Sequence, residues 1–167
     1  GLGDVYKRQI PHAHASVGLA REPIARKWRM YKNVLVPVDL AHQEQAGAMI
    51  QNALAIMSPD AKLTLFFAMP EIPAVLGLQM PEGSAERAKE DAHAKLAKLA
   101  KLSSAPETTR IVTSVGRPHH EILDLAEKDG VDLIVMASHK PGLADYLLGS
   151  VAASVVRHAK CSVHVMR

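Results

Sequence analysis

The sequence predicts an α/β fold, an open and mostly parallel sheet covered by helices on both faces. Three observations carry the prediction. Short, continuous apolar runs bounded by turn residues have the character of strands buried on both faces. Segments with apolar residues at helical spacing separate those runs. Strand–helix–strand connections close right-handed, which sets successive strands parallel and puts helices on both sides.

Each element follows in order. Asn33-Val-Leu-Val-Pro-Val38 is the first strand, and Pro37, lacking an N–H, predicts that its ladder fails there. Residues 42–57 place Ala46, Met49, Ile50, Ala53, Leu54 and Met57 on one helical face, with Ser58-Pro59 as the stop. Lys62-Leu-Thr-Leu-Phe-Phe-Ala-Met69 is the second strand. From Pro70 to Gly83, Pro73, Gly77 and Pro81 mark a loop long enough to be mobile or functional. Residues 84–102, rich in Ala, Lys and Leu, form the next helix. Thr109–Ser114 is the third strand; Gly116 permits a turn, Pro118 opens a helix, and that helix ends at Gly130. Val131–Ala137 is the fourth strand, Ser150–Ala159 the last helix, and Ser162–Met166 a short fifth strand. No internal repeat or low-complexity tract interrupts the series.

Charge narrows the choice of partners. The net charge of +3 and pI of about 9.1 look mildly basic. Residues 1–29, however, carry Lys7, Arg8, Arg21, Arg26, Lys27 and Arg29 against Asp4 and Glu22, a net of +4. From residue 30 onward the net is −1, so the charge argues for neither nucleic acid nor a membrane surface. An apolar fraction of 48% supports a packed core. No apolar run reaches the ~18 residues of a membrane helix. The single cysteine, Cys161, rules out an internal disulfide framework and fits a reducing compartment.

The expected domain division is 1–29 as an extraneous or disordered extension and 30–167 as the fold. The extension lacks clear periodicity, and no apolar stretch in it precedes a small-residue cleavage site. Its composition has the Arg-rich, acid-poor bias of an organellar transit peptide without a helical apolar face. Gly1-Leu-Gly-Asp-Val-Tyr-Lys-Arg-Gln9 looks like translated adaptor sequence, and Met30 stands three residues before the first strand.

In an open doubly wound sheet, ligands bind beyond the carboxyl ends of the strands where the winding reverses. Two strand ends are chemically loaded: Pro37-Val38-Asp39, and Met136-Ala137-Ser138-His139-Lys140 running on to Gly149-Ser150. Gly149-Ser150 opens a helix, whose first turn offers unpaired N–H groups and partial positive charge, a good phosphate site. Gly149 lets phosphate come close, Ser150 adds a hydroxyl and Lys140 a full charge. Ser150 acting only as an N-cap is the equal alternative. Asp39 has three readings: acceptor for a ribose hydroxyl or base amine, metal ligand, or cap of the following helix. The third strand ends Thr113-Ser114-Val115-Gly116 without a phospho-acceptor Asp, which argues against a signalling receiver. No Gly-x-x-x-x-Gly-Lys-Ser/Thr loop or Gly-x-Gly-x-x-Gly fingerprint occurs.

Together these segments resemble the universal stress protein family, essentially from Met30 to Arg167. The likeness is carried by Met30-Tyr-Lys-Asn-Val-Leu-Val-Pro-Val-Asp39, by Gly116-Arg-Pro118, by Ser138-His-Lys-Pro-Gly-Leu-Ala-Asp-Tyr-Leu-Leu-Gly-Ser150 and by Val156–Val163. The C-terminal segment, from Ser138 through Val163, looks most like the F/G-type branch of small single-domain bacterial members. The resemblance implies a five-stranded parallel sheet of order 3-2-1-4-5, of the Rossmann-like, adenine nucleotide alpha hydrolase-like type. It implies ATP or AMP, with or without Mg2+, between strands one and four. Carried over, Pro37, Val38 and Asp39 border adenine and ribose, and Ala68 meets adenine through its backbone. Met136 and Ala137 lie against ribose and phosphates, with Ser138, His139 and Lys140 following. Gly149, Ser150 and Val151 hold phosphate. The chain departs from the family's glycine pattern: Ala137 and Lys140 occupy the early glycine positions, and the loop to Gly149 is one residue short. The F/G-type branch shares this loop, with His139 and Lys140 as side-chain substitutes for backbone contacts.

The family also pairs its last strand antiparallel with a second copy, which implies a homodimer through Val163, His164, Val165 and Met166. Val163 and Val165 would face one way, His164 and Met166 the other. His164 stands where an aliphatic residue is usual. It is either a tolerated surface substitution or the seat of a repulsion between two imidazoles on protonation. The implied role is a cytoplasmic, stress-responsive sensor or regulator with an unknown regulatory protein partner. A slow ATPase or self-phosphorylating enzyme, and an interaction module with a degenerate site, are the alternatives. Among the remaining residues, His119-His120 and His12-x-His14 have only loose metal-like spacing, and His119 and His120, adjacent at a helix start, should diverge rather than share a metal. Cys161 reads as an inert thiol, and the mixed charges of 84–102 as a solvated face.

Overall fold

The computed structural model describes residues 31–71, 81–138 and 148–166. The expected extension 1–29, residues 72–80 of the expected long loop, and His139 and Lys140 lie outside the described residues. Among the described residues, five strands, β1 (Tyr31–Pro37), β2 (Met57–Met69), β3 (Arg110–Val115), β4 (Leu133–Ala137) and β5 (Ser162–Met166), alternate with four α-helices. The helices are α1 (Ala46–Ile56), α2 (Ser84–Leu102), α3 (Pro118–Lys128) and α4 (Ser150–His158). The sheet order is β3-β2-β1-β4-β5, and every pairing is parallel. Both the element series and the order match expectation.

Three of the boundaries that differ do so for a clear local reason. The expected helix over 42–57 is a 3-10 turn, Gln43–Gln45, followed by α1 from Ala46, because Asp39 and its neighbours first close a tight turn. Strand β2 starts at Met57 rather than Lys62. The chain is already extended at Met57 (φ −82°, ψ 156°), which pairs with Tyr31 across a slip in register between Tyr31 and Asn33. Pro59 is tolerated there because β2 meets β3 only from Thr64 onward. Strand β4 begins at Leu133 rather than Val131, since the Val131 N–H closes the end of α3 on the Ala126 carbonyl at 2.9 Å. The turn after α3 needs φ +63° at Gly130, which glycine adopts without steric cost.

Alternation along the strands feeds two cores. Val34, Val36, Leu63, Leu65, Leu133 and Val135 pack against Met49, Ile50 and Ala53 of α1 and Leu96 and Ala100 of α2. Leu35, Phe66, Ile134 and Met136 face the other way, against Ile122 and Ala126 of α3 and Ala152 and Val155 of α4. The central strands are therefore apolar on both faces, which is why they read as unbroken runs.

The amino ends of the strands are netted by hydrogen bonds. Asp132 Oδ2 accepts the Lys32 N–H at 2.7 Å and Oδ1 accepts the Asn33 N–H at 3.0 Å. The Asp132 N–H donates to the Asn33 carbonyl at 3.0 Å, and the Ser162 N–H donates to the Asp132 carbonyl at 3.2 Å. Asn33 Nδ2 donates to the Asp129 carbonyl at 2.7 Å, and the Asp129 carboxylate takes Arg110 at 2.5 Å. One aspartate and one asparagine thus tie the starts of β1, β4 and β5 to the end of α3.

Candidate functional site

At the carboxyl ends the strands part. The last link of β1 is the Val38 N–H, which donates to the Phe66 carbonyl at 2.7 Å. Beyond it the chain leaves the sheet at Asp39 while β2 runs on to Met69. Ala68 lies two residues past Phe66 on the same edge of β2, so its N–H and C=O point where β1 has ended. The connections from β1 and β4 leave on opposite sides, through α1 and α4, which opens a crevice at this winding reversal.

The crevice has a volume of about 650 Å³. Pro37, Val38, Asp39, Ala68, Met136, Ala137, Gly149, Ser150 and Val151 all line it, so strand ends distant in sequence meet in one place. Small side chains at Ala68 and Ala137 leave the space. Sequence reasoning missed the helix-borne lining: Gln45 and Met49 from the α1 side, Pro118 and Ile122 from α3, and Ala152 from α4. It also missed Phe67 and His42. The signal for His42 was its spacing from the aspartate in Asp39-Leu-Ala-His42.

The start of α4 carries the kind of groups that an anion site uses. Gly149, not Ser150, occupies the N-cap position, and no side chain caps the helix. The first bond of the helix is the Ala153 N–H to the Gly149 carbonyl, at 2.8 Å. The N–H groups of Gly149, Ser150, Val151 and Ala152 therefore have no partner within the helix, and all four residues line the crevice. With the dipole of α4, they place partial positive charge at this wall. The reading of Ser150 as a mere N-cap does not hold. Gly149 has φ −56° and ψ 153°, which any residue can adopt, so what glycine offers here is close approach.

Asp39 lines the same crevice as that helix start. Its Oδ1 accepts the Ala41 N–H and its Oδ2 accepts His42 Nδ1–H, both at 2.9 Å. The His42 N–H closes the turn on the Asp39 carbonyl at 3.1 Å. Asp39 thus organises the turn before the 3-10 helix rather than capping α1, and its side chain remains 53% exposed.

Other expected residues fall elsewhere. Ser138 continues the β4–β5 pairing, its N–H donating to the Met166 carbonyl at 2.8 Å, and it does not line the crevice. Strand β5 is the last in the sheet order. Val163 and Val165 pack toward the α3–α4 core, Met166 packs toward the other, and His164 is exposed, so the expected alternation holds. His119 and His120 do not diverge as expected; their ring centroids are 4.4 Å apart, because both lie in the first turn of α3 with room to tilt together. No group of three or more His, Cys, Asp or Glu residues suited to a metal occurs among the described residues. Cys161 lines a separate cavity of about 240 Å³ at the netted end, beside Lys160 and His158. Burial pushes its thiol pKa up, and the Asp132 carboxylate adds to the rise. Among the described residues, no helix is long and apolar enough to cross a membrane.

Comparison with known proteins agrees with the fold. The model of the universal stress protein family matches residues 30–167. Universal stress protein G of Escherichia coli O157:H7 is 29% identical over 143 residues, spanning 83% of this chain and 100% of its own. Universal stress protein MJ0577 of Methanocaldococcus jannaschii is 29% identical over 157 residues, spanning 83% of this chain and 96% of its own. Its solved structure superimposes with a TM-score of 0.68 over 82% of this chain and 96% of the other. A universal stress protein solved in complex with cAMP, 23% identical, shares the fold with a TM-score of 0.57 over 82% of this chain and 97% of its own.

Proposed function

The chain belongs to the universal stress protein family, and we propose that its crevice binds an adenine nucleotide, ATP or AMP, as the sensing element of a stress-response regulator. The observation that carries this reading is the convergence on one cavity of the β1 end, Ala68 and the four first-turn residues of α4. The chemistry of the donor set fits. A purine edge needs a paired donor and acceptor, which the backbone of Ala68 supplies at the end of β2. A phosphate needs N–H donors in partial positive charge, which α4 supplies. The apolar walls, Val38, Met49, Met136 and Ile122, suit the faces of a base. A Mg2+ ion, where present, would be held chiefly by the phosphates.

The role we infer is regulatory rather than catalytic, in the cytoplasm, with a second copy paired along the outer edge of β5. An unpaired strand edge invites such pairing, and Val163, His164, Val165 and Met166 would form it. Calorimetric titration of the full chain with ATP tests the nucleotide reading: saturable binding is expected, and no binding at millimolar ATP rejects it. Phosphate release in step with binding, lost in Ser150→Ala, would favour an enzyme instead. Sedimentation tests the dimer. A dimer at pH 7 that loosens toward pH 5, with the loss absent in His164→Val, places the two imidazoles near the axis.

A further inference from the structure

We propose that Gln45 is a specificity-determining residue of this crevice, its side-chain amide pairing with N7 and the 6-amino group of an adenine; the proposal rests on the nucleotide reading above and names how that site recognises its base. Gln45 ends the 3-10 turn and is the N-cap of α1, with helical angles of φ −88° and ψ −17°. Helical spacing therefore sets it on the same face as Met49, four residues on. Both line the crevice, as do Phe67 and Ala68 of β2, and Phe67 packs against the core cluster that holds Met49. Gln45 thus belongs to the flank of the crevice that adjoins the end of β2. Two other glutamines of this stretch are already committed. Gln43 Nε2 donates to the Leu40 carbonyl at 2.9 Å, and Gln51 Nε2 donates to the Ser103 carbonyl at 2.5 Å. Among the described residues the Gln45 amide makes no such bond.

An amide side chain carries a carbonyl acceptor and an NH2 donor side by side in one plane. Adenine presents the complement next to its Watson–Crick edge: N7 accepts and the 6-amino group donates, the pair that glutamine reads bidentately. This contact is compatible with the backbone of Ala68, because a 6-amino group has two hydrogens. One goes to the Ala68 carbonyl while N1 takes the Ala68 N–H. The other goes to Gln45 Oε1 while Gln45 Nε2–H goes to N7. A guanine has acceptors at both N7 and O6, so the Gln45 oxygen would face a second acceptor. Met49 and Phe67 beside the amide make its surroundings apolar, where a hydrogen bond is stronger than in water.

Calorimetric titration of the full chain with ATP and with 7-deaza-ATP, which lacks the N7 acceptor, tests this. Wild-type protein is expected to bind ATP about tenfold more tightly, the scale of one hydrogen bond. Gln45→Met keeps the length of the side chain and removes both polar atoms. It should weaken ATP at least ~10-fold and bring the two nucleotides to equal affinity. Gln45→Glu keeps an acceptor for the 6-amino group but loses the donor to N7, and should abolish the preference as well. Thermal melting of each variant confirms that it folds. A folded Gln45→Met or Gln45→Glu protein that keeps the full preference for ATP overturns the assignment to Gln45. Wild-type protein that binds both nucleotides alike overturns the proposal and leaves the nucleotide reading standing, whereas wild-type protein that binds neither overturns the nucleotide reading itself.

Discussion

At the amino ends of the strands, Asp132 and Asn33 give their side chains and backbones to neighbouring strands. At the carboxyl ends, Asp39 accepts the Ala41 N–H and the His42 imidazole of the next turn, and α4 begins without a side-chain cap. Both ends use an aspartate beside β1, but with opposite consequences. Asp132 satisfies N–H groups across strands and so stabilises the sheet. Asp39 fixes a local turn and lines the crevice, as do the first-turn residues of α4. The difference teaches how the two ends of this sheet divide: polar groups tie neighbouring strands together at one end and line an open crevice at the other.

The sharpest way to break that contrast is Asp132→Ala. It deprives the Lys32 and Asn33 N–H groups of their acceptor, and we expect a loss of about 2 kcal/mol in urea unfolding, with ATP binding unchanged. A variant as stable as wild type would show that the net at this end is ornamental. Gly149→Val addresses the other end. Its backbone angles suit valine, so stability should fall by no more than about 1 kcal/mol, while ATP affinity should drop at least ~10-fold as the β-branched side chain holds phosphate off the helix start. A smaller effect is expected from Gly130→Ala, where φ +63° costs an alanine roughly 1 kcal/mol in thermal unfolding without change in binding.

What the sequence revealed follows the same division. The central strands were legible because burial on both faces leaves an unbroken apolar run, as at Val34-Leu35-Val36 and Ile134-Val135-Met136. The residues at the crevice floor were legible because a doubly wound sheet binds ligands at strand ends. The first half of β2 was not, because Ser58-Pro59-Asp60 has the composition of a turn and is held extended by pairing near Tyr31, a tertiary event. The start of α1 was misplaced because Asp39 captures the intervening backbone in its own turn. Met49, Pro118 and Ile122 carry no local mark of a crevice wall; their role arises only when α1 and α3 pack against the sheet. Ser150 illustrates the limit of composition: a serine at a helix start reads as a cap, yet the cap position belongs to Gly149.

Cys161 offers the finest probe of the netted end. Burial raises its pKa first, and the negative charge of Asp132 raises it further. The thiol therefore stays protonated to higher pH in the folded chain than in the unfolded one. Its thiolate is the reactive form, so alkylation of native protein at pH 7.5 should be slower than alkylation of denatured protein, and its rate should go on rising at pH values where an unfolded thiol has levelled off. The linkage has a definite sign: stability is fully present below the unfolded thiol pKa and is lost as pH rises through the raised folded value. Asp132→Ala separates the two causes. If the end stays closed, removing the carboxylate lowers the thiol pKa slightly while burial keeps it above the ordinary value, and alkylation quickens only a little. If loss of the net lets water reach Cys161, the native rate approaches the denatured one. A native rate equal to the denatured rate in the unaltered chain would show that the packing around Cys161 does not shield it.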